Sequence, residues 1–312
     1  MPKFLQLPLI RTVVKFLKAI KLPGLRGFSF YDLLEMYLIG IVKGALSYRA
    51  GSVSFSFFMA LFPFLLFILN LIPFVDSIPF INIQDFDQTF LNYLELFLPV
   101  ETQSFFKEIF QDISNKPRGG LLSSVFLLSI FLSANGVSAV FGSFESSYHV
   151  NFSRSFLRQY LLSVGVSVML AFLSLISVIV FFYVELNIIN NLNSLIETEI
   201  IWTRIGQYAL LAVFIYTAVG ILYFYGTVER HKVRFMTPGT TMTTFLFFLT
   251  TYVFGIYVDN FSTYNQLYGS IGALLIFLLY IWLNSNILLL GFELNATLNR
   301  FKREVKSSNN AK

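Results

Sequence analysis

The chain has 312 residues, of which 56% are hydrophobic and only 12% charged, with a net charge of +5 and no cysteine. A soluble all-helical protein of this length needs more charged surface than that, so composition excludes a water-soluble domain. The missing cysteines remove disulfides, thiol catalysis and thiolate metal sites together.

The N-terminal stretch is basic and periodic. Arg11, Lys15 and Lys18 recur at helical spacing opposite Ile10, Val13, Val14 and Leu17, the pattern of an amphipathic helix lying in a membrane interface. A mitochondrial transit peptide shares the acid-free character that lasts here until Asp32, but the stretch is not Ser-rich, and no apolar run near the start is placed like a cleaved secretory signal. A second periodic segment, 31–50, sets Leu34, Leu38, Ile41 and Leu46 against Asp32, Glu35, Lys43 and Arg49. It is expected to lie along the inner face and to turn at Gly51, so that residues 1–51 form an interfacial segment.

Six apolar runs follow, at 52–75, 120–142, 156–184, 202–226, 236–257 and 269–290. A hydrocarbon core about 30 Å thick needs roughly 20 apolar residues of helix to cross it. Continuous runs of this length indicate helices, since a membrane barrel would show short alternating segments. The expected fold class is therefore all-α: a polytopic membrane protein with six transmembrane helices over 52–300, an outer helical insertion at 76–118 and a basic tail at 301–312. In the insertion, Phe86, Phe90, Tyr93, Leu94 and Phe97 alternate with Asp87 and Glu95, and a second amphipathic stretch covers 101–113. The insertion is too small for a core of its own and is expected to fold onto the membrane part.

Orientation follows from the basic residues of the connecting segments. All but Lys107, Lys116, Arg118 and Arg204 fall on one side, in the N-terminal segment, the loop with Arg154 and Arg158, the loop with Arg230, Lys232 and Arg234, and the tail. Both termini are thereby expected to be cytoplasmic. The basic rim meets anionic lipid headgroups, each Lys or Arg contributing on the order of 1 kcal/mol, which accounts for the net charge without a nucleic-acid partner.

Chemistry is sparse. His149 and His231 lie in predicted inner loops without the close His, Asp or Glu company of a metal site or triad, and both read as solvated or headgroup-facing. No Gly-rich phosphate loop occurs. Neither an enzyme, a cofactor nor a metal is expected. Within the spans, hydroxyl residues such as Ser133, Ser163, Ser174, Thr244 and Thr251 read mainly as packing surfaces that bond their own helix turns.

The asparagines stand out. Counted inward from the outer ends of their spans, Asn135 and Asn284 share one depth at roughly 1.5 Å per residue, with Asn286 near the second of them and Glu293 and Asn295 within the next three turns. Such groups are costly in lipid and should face protein or water. Two arrangements fit: a polar cavity between the second and sixth helices, open toward the inner side, or an Asn135–Asn284 structural clasp. Pro63 should kink the first span, and Gly136 loosens the second. No inverted internal repeat is evident, which counts against a standard transporter architecture.

AGSVSFSFFMALFPFLL (50–66), SANGVSAVF (133–141), Pro238-Gly239, YGSIGA (268–273) and LGFELNA (290–296) together resemble the YihY/BrkB family of bacterial inner-membrane proteins, over about residues 30–300. Phe57 and Phe58 stand where that pattern has tyrosines. The resemblance implies six transmembrane helices in a bacterial plasma membrane, and it nominates Pro63, Asn135, Gly136, Tyr268, Gly269, Gly272, Glu293 and Asn295. Family members carry labels of probable transporter or virulence factor, and an older label of ribonuclease BN; the scattered Glu145, His149, Glu229 and His231 do not suit a metal-dependent nuclease. Two functional classes remain in front: a carrier of a small solute or lipid, with a cavity lined by Asn135, Asn284 and Glu293, or a scaffold built as a sealed bundle. Oligomerisation is left open.

Overall fold

The computed structural model describes residues 29–76, 122–150, 153–184, 199–227, 235–260 and 270–310, with 15, 17–19, 21, 103–104 and 107–108. The helices are α1 (Phe30–Lys43), α2 (Leu46–Asp76), α3 (Leu122–Glu145), α4 (Phe156–Val184), α5 (Glu199–Gly226), α6 (Pro238–Asn260) and α7 (Ser270–Asn310). Five of these, α3 to α7, are long and apolar enough to cross a membrane, and α2, at 31 residues, covers the first expected run. The fold is that of an all-α polytopic membrane protein. Most of the outer insertion, the amphipathic helix expected around Arg11, Tyr268, Gly269 and His231 lie outside the described residues.

The surface fits this reading. Phe55, Met59, Leu128, Leu161, Phe172, Ile176, Phe245 and Tyr252 are exposed on the outside of the bundle. In water such a belt would drive aggregation, whereas in a bilayer it meets lipid at no cost. Hydroxyls inside the bundle bond back to their own helices, Ser163 to the Gln159 carbonyl at 2.9 Å and Thr251 to that of Phe247 at 2.8 Å, as expected of packing residues.

Two boundaries differ from the sequence expectation. The corner between α1 and α2 lies at Gly44-Ala45, with Ala45 at φ 47°, while Gly51 sits inside α2. The reason is Arg49, whose side chain reaches inward to Ser143 and Glu293, so the helix must already be formed upstream of it. At the other end α7 continues helically through the tail to Asn310. Pro63 is half-buried within α2, which runs on through it as one helix.

α1 starts from a reciprocal cap: Ser29 Oγ accepts from the Asp32 amide at 3.3 Å, and Asp32 Oδ2 accepts from the Ser29 amide at 2.8 Å. It docks on the basic end of α7. Tyr37 donates to the Leu290 carbonyl at 3.1 Å, and Leu33 is buried against Phe301.

Two glycine approaches set the helix spacing. A Cβ on Gly136 would stand 3.0 Å from Ala60 Cβ and 3.2 Å from Phe57 Cδ1, which brings α2 and α3 together. Gly291 is tighter still: a Cβ there would run into Thr243 Oγ1 and Tyr223 OH, and one on Gly239 into the Gly291 carbonyl and Asn295. Here α6 and α7 cross almost backbone to backbone. Next to the crossing, Tyr223 donates to the Leu288 carbonyl at 2.6 Å and so accepts from Thr243 at 2.7 Å, and Phe144 stacks on Phe292 at 3.9 Å.

Gly291→Ala should therefore destabilise the bundle by about 1–3 kcal/mol through overpacking, whereas Gly51→Ala, with nothing within 4 Å of its Cβ, should be neutral or stabilising by up to about 1 kcal/mol. Unfolding midpoints of the two variants against the parent check this, and equal loss in both would contradict the crossing geometry.

Candidate functional site

The spans that carry the polar residues create two separate places of interest, both on α7. The first is a buried ionic cluster at the basic end of the bundle. Glu293 is fully buried; its Oε2 accepts from Ser147 Oγ at 2.8 Å and faces Arg49 Nη2 at 3.4 Å, and its Oε1 lies 3.8 Å from His149 Nε2. Arg49 also donates through Nη1 to the Ser143 carbonyl at 2.7 Å. The cluster thus ties the start of α2, the end of α3, the following loop and α7.

His149 is likewise buried, against the expectation of a solvated side chain. Its ring contacts fix one form. Arg300 Nη1 can only donate, so Nδ1 accepts from it at 3.1 Å; the Met36 carbonyl can only accept, so Nε2 donates to it at 3.2 Å. These two contacts assign a neutral imidazole carrying its proton on Nε2. Arg300 lies in addition over the Tyr148 ring at 5.7 Å. Gly40 is needed for this approach, because a Cβ there would stand 2.5 Å from Glu293 Oε1 and 2.6 Å from His149 Nε2. Tyr37, on the same face of α1, has its phenol pushed up to about 12 by burial, with the Glu293 carboxylate adding to the rise. Glu145 serves a neighbouring tie, accepting from the Arg154 amide at 2.9 Å, while Arg154 Nη2 donates to the Thr227 carbonyl at 2.8 Å.

Beside this cluster opens a cavity of about 460 Å³ whose walls include His149, Asn295, Asn299, Lys302 and Arg303. Asn295 is half-buried here and clasps the start of α6: its Oδ1 accepts from the Gly239 amide at 2.9 Å, and its Nδ2 donates to Thr237 Oγ1 at 2.8 Å.

The second place is an open cavity of about 420 Å³ along the spans, lined by residues of α2, α3, α4, α6 and α7. Its walls are mainly apolar, with Phe57, Phe64, Leu170, Phe247 and Phe277 prominent, and Asn284, Ser133 and Ser167 supply the polar points. Among the described residues, Asn284 Oδ1 and Ser167 Oγ are buried without a hydrogen-bond partner, although Asn284 Nδ2 donates to the Tyr280 carbonyl at 2.9 Å. Buried polar atoms of that kind call for a ligand or water.

The nominated residues are therefore distributed. Asn284 lines the apolar cavity, Glu293 and Asn295 belong to the basic end, and Asn286 bonds its own helix at the Trp282 carbonyl, 2.8 Å away. Asn135 is exposed and outside either lining; the same level of α3 presents Ser133 and Gly136 to the cavity, since one residue step turns a helix by about 100°. Gly272 is buried. Arg49, Ser147 and Arg300 were not singled out from the sequence, where each reads as an ordinary loop or rim residue, and His149 was read there as solvated or headgroup-facing. The available signal was the carboxylate of Glu293 inside an apolar run, which demanded a cation. Among the described residues no three potential metal ligands of the His, Cys, Asp and Glu types converge.

Comparison with known proteins completes the description. A family model described as virulence factor BrkB matches residues 40–312. The chain is 26% identical over 263 residues to the ribonuclease-like protein YfkH of Bacillus subtilis (strain 168), covering 82% of this chain and 90% of that protein. It is 33% identical over 102 residues to a UPF0761 membrane protein of Psychrobacter sp. (strain PRwf-1), and 36% identical over 86 residues to one of Xanthomonas campestris pv. campestris (strain 8004). Those two matches cover 32% and 27% of this chain, and only 18% and 20% of the respective relatives. No solved structure matches the chain. With the family model spanning all the membrane helices described above, the chain belongs to the BrkB family of membrane proteins.

Proposed function

We propose that the chain is a multi-pass transporter of the bacterial inner membrane that carries a small amphiphilic solute or a lipid, with both termini on the cytoplasmic side. The observation that carries this reading is the cavity along the spans, where Asn284 Oδ1 and Ser167 Oγ lie without hydrogen-bond partners among the described residues, beside largely aromatic and aliphatic walls. Such a lining suits an occupant that is mostly apolar with one or two polar atoms. The orientation rests on the distribution of Lys and Arg between the loops. Nuclease chemistry, which the name of the Bacillus relative suggests, is the weaker reading. The buried Glu293 and His149 are held by Arg49, Ser147, Arg300 and the Met36 carbonyl, and among the described residues no three potential metal ligands converge as metal-dependent nuclease chemistry would need.

A scaffold is the second reading, and the ionic cluster favours it. A charge pair buried this deeply holds four chain segments and the docked α1 in one arrangement, as a static assembly would require. The two readings separate on the cavity along the spans, which a scaffold leaves functionless.

The full-length protein extracted in native nanodiscs should retain a lipid or metabolite detectable by mass spectrometry, and Leu61→Trp, which fills the cavity wall, should lose it while keeping its elution volume. In proteoliposomes, nitrobenzoxadiazole-labelled phosphatidylglycerol should move between leaflets with the parent protein and at least tenfold more slowly with Leu61→Trp or Asn284→Leu. An empty cavity together with no probe movement by the parent would sink the transport reading and favour the scaffold. The pair itself gives a stability prediction: Arg49→Met or Glu293→Met alone should cost about 3–5 kcal/mol, because each leaves a buried charge uncompensated, and the double substitution should recover most of the loss. Unfolding of the three variants measures the coupling, and simple additivity would show that the pair is not a functional unit of stability.

A further inference from the structure

The cavity at the basic end differs in chemistry from the one along the spans. Its described walls carry Lys302, Arg303 and the neutral His149, together with the amides of Asn295 and Asn299, and none of them is acidic. Glu293 lies behind this wall, paired with Arg49 and Ser147. The N-terminus of the 23-residue helix α6 opens at the same place, with Thr237 and Pro238 in the lining. Its first amide groups are taken: that of Gly239 by Asn295, and that of Thr240 by Thr237 Oγ1 at 3.2 Å. What α6 adds is therefore the positive end of its dipole rather than free donors.

We propose that this cavity is a binding site for a phosphate group, with Lys302 and Arg303 as its cationic partners and Asn299 as a neutral donor. A phosphate matches the arrangement because it takes both point-charge and forked donors on one small anion. The cavity, at about 460 Å³, has room for a headgroup or a phosphorylated metabolite and is of ordinary ligand-pocket size. Phe292, Ala296 and Leu298 line the same space, so an ester carrying apolar substituents is accommodated as well as the free ion. The site stands apart from the cavity containing Asn284 and is defined whether or not anything crosses the bilayer.

The test uses the full-length protein in phosphatidylcholine nanodiscs. Binding of radiolabelled inorganic phosphate is measured by equilibrium dialysis, and retention of phosphatidic acid doped into the discs by native mass spectrometry. K302Q/R303Q is compared with K15Q/R158Q, which removes two exposed charges elsewhere, and with Asn299→Asp, which adds a carboxylate to the wall while conserving size. Expected is binding of at least one probe by the parent and by K15Q/R158Q, and at least a tenfold weakening in both K302Q/R303Q and Asn299→Asp. Phosphate binding would point to a soluble phosphorylated ligand, and retention of phosphatidic acid without phosphate binding would point to a lipid headgroup; either supports the site. Binding of neither probe, or equal loss in K302Q/R303Q and K15Q/R158Q, would overturn it. Probe movement between leaflets is not read in this experiment, so failure here leaves the transport reading to its own test.

Discussion

The basic end of this bundle is organised by one carboxylate. Glu293 sits at zero exposure in the midst of apolar helices, where an isolated charge would cost several kcal/mol even after relaxation. The groups around it answer that cost at Oε2, while Oε1 has no hydrogen-bond partner among the described residues. Arg49 is drawn inward, Ser147 donates its hydroxyl, and His149 is held beside it in neutral form by Arg300 and the Met36 carbonyl. Because these groups come from α1, α2, the segment after α3, and α7, satisfying one side chain fixes the relative placement of four parts of the chain. Gly40 and Ala45 follow as local requirements, the first by leaving room for Glu293 and His149, the second by completing the tight corner that aims Arg49 at them.

The centre of the spans obeys a different rule. There the walls are aromatic and aliphatic, the close approach at Gly136 sets the distance between α2 and α3, and the few polar atoms are not all answered. The glycine crossing of α6 over α7 separates the two regions, with Tyr223 bridging both helices through Thr243 and the Leu288 carbonyl. A tightly determined end and a looser interior share one long helix, α7.

Much of this architecture was legible in the sequence, because length and apolarity are enough to identify spans, and the motifs were informative about packing. AGSVSFSFFMALFPFLL and SANGVSAVF meet at Gly136, and Pro238-Gly239 meets LGFELNA through Asn295 and Gly291. The shared level of α3 and α7 was also recoverable, as Ser133, Gly136 and Asn284 line one cavity. Which face each asparagine takes was not, since Asn135 and Gly136 differ by a single residue and yet point to exterior and interior. The ionic cluster was hidden for another reason: Arg49 and His149 are separated from Glu293 by 244 and 144 positions, respectively, and a lone Arg near a membrane boundary has the same local signature whether it meets headgroups or a buried carboxylate.

The distance along the chain between Arg49 and Glu293 bears on how the protein is made. At about 5–20 residues per second, the 244 residues that separate the pair take roughly 12–50 s to synthesise. Throughout that interval the arginine at the head of α2 is without the Glu293 carboxylate that it meets in the folded protein. The ionic cluster at the basic end can be completed only once α7 has been made, because Glu293 is carried there.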